Sequence, residues 1–528
     1  MTTKHVKKGG GRSQRLRRRR RAPPPPQPVN MGLHPRPLRL VAFSDYRVQD
    51  IDLLIEELSK LQPRPDLILY AGDDVVRFRP SRGKNLLEAI ASRARYGLCA
   101  VAGNDDEPSV RELICGKSVF NVHLSPIVMG DYAVLGIDGA PCRRDLEGLG
   151  CILHSELEIK RHLSAQRRKV KSKKLIVLSH APPEGVLDQA QRFSLSGTPR
   201  SIGSRALKKF LHTSNNAQLV VCGHVHRCGG QHKRVGRTLV VNAASHDDDR
   251  AVGRFAILEL YASGRCEIVW RGIRETNVVP GIGPPSAERL RSVGIRTVEE
   301  LASAPLELLG RTAHLGHSRE VLKARAQAMV QEKPILLRPL ELPSGPELFL
   351  DIETDLSQEY VWLIGLSAGR SGEYTSFFAE APGEEKEILA DFLNFAERFP
   401  TAWILTLSGS KFEQRVMSKR LACHGFPTSV CQRIIDLYWI IQPAVALPTG
   451  SYRVKEIGGY FGYRYKHPDL DGWEVALLYE NRYQSLKNSS TRRKLARTLI
   501  EYNEDDVRCL PHILNSLRAL ESQTAKDG

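Results

Sequence analysis

Residues 218–226 read Gln-Leu-Val-Val-Cys-Gly-His-Val-His, an apolar run that ends in a glycine and two histidines. The run predicts a short buried strand, and the polar cluster marks the end of that strand. Further apolar runs end in the same way, and helix-like stretches such as 50–61 lie between several of them. Buried strands that alternate with helices predict a layered α/β domain whose ligand groups gather at the strand ends. The further runs are residues 38–43, 67–70, 99–102, 133–137 and 175–178.

The predicted strand ends carry carboxylate, amide and imidazole side chains. Hard or borderline divalent cations recruit these ligands, and a carboxylate shared by two ions about 3.5–4 Å apart can hold them against a phosphoryl group. A single aspartate of this kind would more often cap a turn or a helix. Their occurrence at successive strand ends favours a metal centre. The residues are Asp45, Asp73, Asn104, His180, His224 and His226.

In order and spacing these residues resemble the calcineurin-like metallophosphoesterase family, over roughly residues 38–272. The resemblance implies a four-layer α/β/β/α fold and a centre that holds Mn²⁺ or Mg²⁺, with Fe or Zn as alternatives. It also implies that Asp73 bridges two ions. The other ligands would then divide into Asn104, His180 and His224 at one ion, and Asp45 and His226 at the other.

Two positions depart from the family pattern. Arg47 stands where the Asp-x-His motif has histidine, and a guanidinium cannot bind a cation. Asp105 replaces the histidine of the Gly-Asn-His motif, which removes a potential proton donor. Three interpretations stay open: a remodelled catalytic site in which Arg47 supplies positive charge and Asp105 or Asp74 extra oxygens, a one-metal enzyme, and a non-catalytic domain. Retained metal binding is favoured, because the six ligand-type residues remain.

The composition of the whole chain bounds its class. A length of 528 residues is too great for one hydrophobic core, so several domains are expected. With 41% hydrophobic and 26% charged residues the chain is globular, and no apolar run reaches the roughly 18 residues that span a bilayer. The ten cysteines form no CxxC pair, which favours reduced thiols and a cytoplasmic location, with nucleoid association as a variant.

The amino-terminal 36 residues are predicted to be a disordered tail. They hold arginines 17–21 and prolines 23–26, and the chain has a net charge of +18. Such a segment cannot bury enough apolar surface to fold, and it lacks the apolar region of a secretory signal. It is either an electrostatic arm for nucleic acid or a solvated extension that precedes a true start at Met31.

A glycine turn opens the helical stretch that follows the first domain. Residues 278–284 read Val-Val-Pro-Gly-Ile-Gly-Pro, and Gly281, Ile282 and Gly283 leave backbone N–H groups at a helix start where a phosphodiester can approach. The segment resembles a helix-hairpin-helix motif, which grips nucleic-acid backbone without reading sequence. Arg289, Arg291 and Arg296 on the same element favour contact with DNA over a purely structural turn. Among nucleic acids, DNA is the preferred partner and RNA the alternative. Residues 306–331 could form a second hairpin.

A second set of carboxylates lies near the carboxyl terminus. Asp351 and Glu353 alternate on a predicted strand and so share one face, where two carboxylates repel unless a cation lies between them. Tyr502 and Asp506 are neighbours on one face of a predicted helix. Strands at 361–366, 374–378 and 403–407 and a helix at 384–399 lie between the two motifs.

Residues 347–518 resemble ribonuclease-H-like exonucleases of the DEDD group, and more closely the YprB-type domain. Asp351 and Glu353 match the first motif, and Tyr502 and Asp506 match its YxxxD motif. The second motif, Asn-Gly-x-x-Phe-Asp, reads Ser-Gly-Ser-Lys-Phe-Glu at 408–413, so Glu413 stands in for aspartate. The resemblance implies two Mg²⁺ or Mn²⁺ ions at a scissile phosphate, with a water oriented by Tyr502. Asp436 is a further candidate, and a pseudo-enzyme is the alternative.

The sequence therefore predicts a multidomain α/β phosphodiesterase or nuclease that acts on nucleic acid, outside the membrane. Its alternatives are a small-molecule phosphoesterase with a nucleic-acid-targeting module, and a catalytically degraded nucleic-acid-binding scaffold. No protein partner is identified. The predicted divisions are a tail at 1–36, a metallophosphoesterase domain at 37–275, a helix-hairpin-helix region at 276–335, a linker at 336–346 and an exonuclease domain at 347–521.

Overall fold

The computed structural model describes residues 36–527 except 81–82, 143–149, 172, 191–199, 246–251, 311, 313–314, 370–371 and 469. The predicted basic tail therefore lies outside the described residues, apart from Arg36. None of the described helices has both the length and the apolar character needed to cross a membrane.

Two six-stranded sheets form the first half of the described chain. One has the strand order β16-β15-β1-β2-β3-β4 and the other β13-β14-β12-β9-β6-β5, and short two-stranded pairs join β7 to β8 and β10 to β11. The strands are β1 Leu38–Phe43, β2 Leu67–Tyr70, β3 Leu98–Ala100, β4 Val119–Asn121, β5 Ile127–Met129, β6 Tyr132–Ile137, β7 Ala140–Pro141, β8 Leu153–His154, β9 Lys174–Ser179, β10 Gln189–Ala190, β11 Arg200–Ser201, β12 Ala217–Cys222, β13 His232–Val235, β14 Thr238–Asn242, β15 Gly253–Leu260 and β16 Cys266–Ile273.

Helices cover the outer face of each sheet. The inner faces pack on each other through residues such as Leu40, Leu69, Ile176 and Leu219. The first helix buries residues 51, 54, 55 and 58 at helical spacing against its sheet, and Asp50 caps it by accepting from the N–H of Asp52. The result is four layers, α/β/β/α. The helices are α1 Ile51–Lys60 and α2 Leu86–Ala91 on one side, and α3 Glu156–Lys169 and α4 Arg205–Thr213 on the other.

The strand directions bring the ligand-type residues to one edge. Strands β1, β2 and β3 run parallel in the first sheet, as do β6, β9, β12 and β14 in the second. Parallel strands end at a common edge, where side chains beyond their carboxyl ends converge. A bridge between Ser44 and Ala244 joins the two sheets there.

A small helical region follows, composed of α5 Pro284–Ser292, α6 Val298–Ser303, α7 Leu306–Leu309 and α8 Arg319–Gln331. Its core includes Ile282, Leu290, Leu301 and Leu322. It is held to the first domain because Glu275 accepts hydrogen bonds from the N–H groups of residues 49 and 50.

The carboxyl-terminal half is built on a five-stranded sheet with the order β20-β19-β18-β21-β22. Strands β18, β19 and β20 form an antiparallel meander, and β21 and β22 continue it in parallel with β18. The strands are β17 Ile335–Leu336, β18 Glu347–Thr354, β19 Val361–Ala368, β20 Tyr374–Phe378, β21 Trp403–Thr406, β22 Ile434–Asp436 and β23 Val445–Ala446. The short β17 pairs with β23, so the chain just ahead of the predicted linker is anchored to this half.

Apolar clusters cover both faces of this sheet, one around Trp362 and Phe392 and one around Phe349 and Leu510. The helices are α9 Glu385–Glu397, α10 Phe412–Cys423, α11 Tyr438–Ala444, α12 Val454–Tyr460, α13 Gly472–Leu477 and α14 Ser489–Asp527. Short 3-10 turns span Val75–Phe78, Pro108–Glu112, His226–Cys228, Thr276–Val278, Pro382–Glu384 and Ser429–Arg433, and a π-helical turn spans Leu478–Tyr483.

Candidate metal centres

The backbone at the strand ends of the first domain is strained where the ligand-type residues lie. Asp45, Asp73 and His224 have φ values of 51°, 60° and 66°, a region that non-glycine residues rarely adopt and that is concentrated at functional sites. Neighbouring glycines make room for the aspartates. A Cβ at Gly103 would lie 1.7 Å from Asp73 Oδ1, and one at Gly223 would lie 2.1 Å from Asp45 Oδ2.

The predicted ligands of the first domain meet at one place. His180 Nε2 lies 2.9 Å from Asn104 Oδ1 and 3.3 Å from Asp73 Oδ2. Its Nδ1 lies 2.8 Å from the carbonyl oxygen of Ala71, which fixes the ring and leaves Nε2 facing the site. Asp45, Asp73 and His180 each offer one ligand atom, and these atoms lie within 4.8 Å of one another.

The two histidines of the Gly-His-Val-His turn also reach this site. His226 Nε2 lies 2.9 Å from Asp45 Oδ1. The backbone N–H of His224 donates to Asp45 Oδ2, and its ring lies edge-on to His180 with the centroids 5.2 Å apart. The structure therefore brings together all six residues that the sequence proposes as ligands.

The titration behaviour of this cluster reflects dense negative charge. Burial alone would lower the pKa of His180, but the carboxylates of Asp73 and Asp45 raise it to about 9. Burial and the neighbouring His180 lower the pKa of His224 to about 3. Burial opposes ionisation of Asp45, yet His226 and His180 hold its pKa below its ordinary value. Buried carboxylates and imidazoles in this arrangement fit divalent cations.

The two departures from the family pattern lie at the edge of the cluster. Arg47 Nε donates to Asp74 Oδ2 at 3.0 Å, and Arg77 holds the other oxygen of Asp74 at 3.2 Å. Asp105 is exposed, accepts from Asn104 Nδ2 at 2.6 Å, and donates its backbone N–H to Asp73 Oδ1. Neither Arg47 nor Asp105 takes the place of Asp45, Asp73 or His180, the three residues whose ligand atoms lie within 4.8 Å of one another.

One functional residue of this site is missing from the sequence prediction. Asp106 is buried and accepts from the backbone N–H groups of Gly103 and Val75, so it holds the two ligand-bearing loops together. Burial, together with the charge of Asp73, raises its pKa to about 6. Its position next to Asp105 is the only signal in the sequence, and that signal does not distinguish the two.

The second carboxylate set lines a pocket of about 290 Å³ in the carboxyl-terminal half. Strand β18 supplies the first motif, α10 supplies Glu413 and α14 supplies the YxxxD residues. The pocket is lined by Asp351, Ile352, Glu353, Thr354, Asp355, Leu356, Gln358, Phe412, Glu413, Gly472, Ala476, Tyr502 and Asp506.

The carboxylates of this pocket resist ionisation. Burial and the charges of their neighbours raise the pKa values of Asp351 and Glu353 well above their ordinary range. Burial raises the pKa of Asp506 to about 6, although Lys455 lowers it, and burial raises that of Glu413 to about 7. Asp506 Oδ1 is shielded from solvent and accepts no hydrogen bond from any described residue. A cation would satisfy that oxygen and relieve the repulsion, so the donor set fits divalent metal.

Two residues that contact the lining of the pocket, Asn503 and Lys455, were not predicted. Asn503 is fully buried; it donates to Asp351 Oδ2 at 2.7 Å and accepts from the hydroxyl of Tyr374 at 2.9 Å. Lys455 Nζ lies 4.2 Å from the centroid of the Tyr502 ring. Asn503 adjoins the YxxxD tyrosine in sequence, whereas nothing local marks Lys455.

Asp436 lies outside the pocket. Its carboxylate accepts from the backbone N–H groups of Ser408, Lys411 and Tyr438, so it fixes the turn that precedes Glu413. Ser408 Oγ also donates to Glu413 Oε2 at 2.9 Å. The role of Asp436 is therefore to position the second motif.

The glycine turn of the helical region has two backbone donors to offer. The N–H of Ile282 donates to Val279, but those of Gly281 and Gly283 donate to no acceptor among the described residues. Arg289 is exposed on α5. Arg296 pairs with both carboxylate oxygens of Glu56 at 2.9 Å, across the boundary with α1. The positive charge of Arg296 is therefore paired with a carboxylate of the same chain.

Comparison with known proteins identifies two domains. A family model for calcineurin-like phosphoesterases matches residues 34–228, and one for the RNase_H superfamily matches residues 348–518. The protein is thus a multidomain α/β chain with a metallophosphoesterase domain and an RNase H-like domain. Both belong to hydrolase families that act on phosphoric esters and typically depend on divalent metal.

Matches to individual proteins are distant. No curated protein matches the chain. Among solved structures, TT1561 of Thermus thermophilus is 19% identical, with 44% of this chain and 98% of that chain covered and a TM-score of 0.32. The sulfate thiohydrolase SoxB of the same organism, in complex with glycerol, is 13% identical, with 62% of this chain and 65% of that chain covered and a TM-score of 0.27.

Proposed function

We propose that the chain is a metal-dependent phosphodiesterase that degrades nucleic acid, with a 3′–5′ exonuclease centre in the RNase H-like domain. The supporting observation is the pocket in which Asp351, Glu353 and Asp506 come together from β18 and α14. Their raised pKa values, and an Asp506 oxygen with no hydrogen-bond partner among the described residues, support a positively charged occupant of the pocket. A divalent cation supplies that charge, and a phosphodiester bound to such a cation is the substrate class of the superfamily.

In this proposal each side chain of the pocket has a separate task. Asp351, Glu353 and Asp506 would hold Mg²⁺ or Mn²⁺, which when bound neutralises phosphate charge and lowers the pKa of water. Asn503 keeps Asp351 Oδ2 oriented. Burial and the charges of Asp506 and Glu353 raise the pKa of Tyr502 well above its ordinary value, so its hydroxyl stays protonated. Tyr502 would therefore orient the attacking water by a hydrogen bond, without acting as a base.

We further propose that the amino-terminal centre hydrolyses a phosphoric ester with the ligand set that includes Asp45, Asp73 and His180. Of the three interpretations of this site, the remodelled one fits the contacts best. The guanidinium of Arg47 lies beside the cluster and is anchored through Nε to Asp74, which leaves its terminal nitrogens available for a substrate phosphate. Asp105 would extend the acidic edge of the same site.

The helical region would supply contact to the nucleic-acid backbone. The N–H groups of Gly281 and Gly283, which donate to no acceptor in the described part of the chain, suit a phosphate oxygen at the start of α5. Arg296 would have to break its ion pair with Glu56 in order to contact nucleic acid. The proposed contact with the nucleic-acid backbone is therefore made by the glycine turn. DNA remains the preferred ligand, with RNA as the alternative.

The test is digestion of 5′-end-labelled single- and double-stranded DNA and RNA with Mn²⁺, by wild type, Asp351→Asn and His224→Ala. Asp391→Asn, an exposed aspartate of α9, is the matched control. Stepwise shortening that is lost in Asp351→Asn and kept in the control would support the exonuclease. If no variant changes the products, the assignment is wrong. Hydrolysis of a chromogenic diester without any attack on oligonucleotides would instead favour the small-molecule phosphoesterase.

A further inference from the structure

We infer that the metallophosphoesterase domain carries a separate Zn²⁺ site formed by His123, Asp138 and His154, with His162 beside it. The residues come from four different elements. His123 follows β4, Asp138 follows β6, His154 ends β8 and His162 lies on α3. None of them belongs to the ligand set around Asp73, and no sequence motif links them.

The ligand atoms of this cluster are close together. His123, Asp138 and His154 each offer one ligand atom, and these atoms lie within 4.8 Å of one another. Asp138 Oδ1 is 3.0 Å from His123 Nδ1 and 2.7 Å from His154 Nε2. The carboxylate of Asp138 is fully buried, whereas the two imidazoles are 10% and 13% exposed, so an ion can reach the site from solvent.

The three imidazole rings are spaced as ligands of one ion would be. Their centroids are 5.5 Å apart for His123 and His154, 5.5 Å for His123 and His162, and 5.7 Å for His154 and His162. A tetrahedral ion with Zn–N distances of about 2.1 Å would place two bound imidazole centroids about 5 Å apart. The distances between the three ring centroids would therefore have to shorten only slightly for the rings to bind one ion.

Hydrogen bonds alone leave this cluster incompletely satisfied. His162 Nδ1 is shielded from solvent and makes no hydrogen bond with the described residues. His123 Nδ1 faces both the backbone N–H of Asp138, at 3.2 Å, and the Oδ1 of Asp138. A single imidazole nitrogen cannot accept from the first and donate to the second at once. A cation held between Nδ1 and Oδ1 would take the lone pair of Nδ1, in place of the hydrogen bond from the backbone N–H, and would remove this conflict.

The donor set selects the metal. Neutral imidazoles with one carboxylate are typical of Zn²⁺, while Mg²⁺ prefers oxygen ligands. Arg111 Nε donates to Asp138 Oδ2 at 2.7 Å, which leaves Oδ1 turned toward the histidines. The competing explanation is an Arg111–Asp138 ion pair that only orders the rings.

An ion at this site would brace the neighbouring ester-hydrolysing centre. The backbone N–H groups of Cys151 and Ile152 donate to the carbonyl oxygen of Asn104, and His154 lies two residues further along. Fixing His154 to the end of β6 therefore fixes the segment that packs on Asn104. The site would act through the position of that ligand and need not touch substrate.

The test is zinc content, measured by inductively coupled plasma mass spectrometry on the full chain after stripping and reloading with Zn²⁺ and dialysis. His123→Ala with His154→Ala should bind one equivalent less than wild type, and His212→Ala, an exposed histidine of α4, should bind as much as wild type. Asp45→Asn should lose zinc only from the other centre, so that combining it with the double variant lowers the content further.

Folding is checked by circular dichroism, and His154→Gln, which keeps a polar side chain of similar length, serves if the double variant unfolds. Co²⁺ bound to the wild type should give a tetrahedral visible spectrum that weakens in either variant. Zinc content and a Co²⁺ spectrum equal to those of the wild type in the folded His123 and His154 variants would overturn the inference and leave the ion pair as the explanation.

Discussion

Replacing Asp506 by asparagine should stabilise the metal-free protein while removing its response to metal. Burial raises the pKa of this carboxyl from 3.8 to about 6, with Lys455 acting in the opposite direction. A raised carboxyl pKa means that the ionised form is disfavoured in the folded state. The associated loss of stability is absent below the unfolded pKa of about 4, grows between about pH 4 and 6, and is complete above that. Asparagine keeps the shape of the neutral acid and carries no such penalty.

The size of the effect follows from the shift. Each pKa unit corresponds to about 1.4 kcal/mol, so Asp506→Asn should raise the free energy of unfolding by up to about 3 kcal/mol at neutral pH in EDTA. The gain should shrink as the pH falls below about 6 and vanish below about pH 3, where the wild-type carboxyl is protonated in both the folded and the unfolded state. With saturating Mg²⁺ the wild type should gain stability, because the ion binds only the folded protein, and the variant should gain much less.

Urea unfolding followed by tryptophan fluorescence measures this directly, since four of the five tryptophans lie at positions 362, 403, 439 and 473 of this domain. Asp505→Asn is the matched control. Its carboxylate accepts from the backbone N–H of Lys466 and lies outside the pocket, so its loss should destabilise the protein and leave the Mg²⁺ response intact. A variant at 506 that is less stable than wild type in EDTA at neutral pH would refute the reasoning.

Three further perturbations test the surrounding contacts. Asn503→Ala should lower the free energy of unfolding by about 2–4 kcal/mol, because it leaves two buried polar groups unpaired, and Tyr374→Phe should cost about half as much in the same urea assay. In an assay with a chromogenic diester, Gly223→Ala should abolish hydrolysis by the amino-terminal centre, because the added Cβ would lie 2.0 Å from Ser44 Oγ. The control Gly383→Ala should retain hydrolysis, because its Cβ would have no atom within 4 Å. Arg296→Ala should change DNA affinity little in a fluorescence anisotropy titration and cost at most about 1 kcal/mol of stability, because its partly exposed ion pair with Glu56 lies within the chain.

Several strands, and the placement of polar residues at their ends, could be predicted from the sequence. The expected strands at 38–43 and 67–70 match β1 and β2 residue for residue, and the expected strand at 374–378 matches β20. Parallel strands share an edge, so residues just beyond their ends could be assigned to one place without knowing the loops. The carboxylate pair of β18 followed from the two-residue period of a strand.

Contacts made by residues far apart in sequence could not be predicted. Lys455 approaches the pocket from α12, and His123, which follows β4, meets His154 at the end of β8 only through the tertiary fold. No local pattern marks either approach. Arg296 shows a related difficulty: a basic residue of the predicted helix-hairpin-helix segment pairs with Glu56, whose position depends on how α1 packs. The two-residue strand β17 is too short to leave a periodic signal.

Location of bound Mn²⁺ by anomalous X-ray scattering tests the central claim most directly. Crystals of the full chain soaked in Mn²⁺ should show anomalous peaks between the carboxylates of Asp351, Glu353 and Asp506, and a separate set at Asp45, Asp73 and His180. If no peak appears at either cluster in saturating Mn²⁺, the account is contradicted, because neither cluster then binds the divalent metal that the proposed hydrolysis requires.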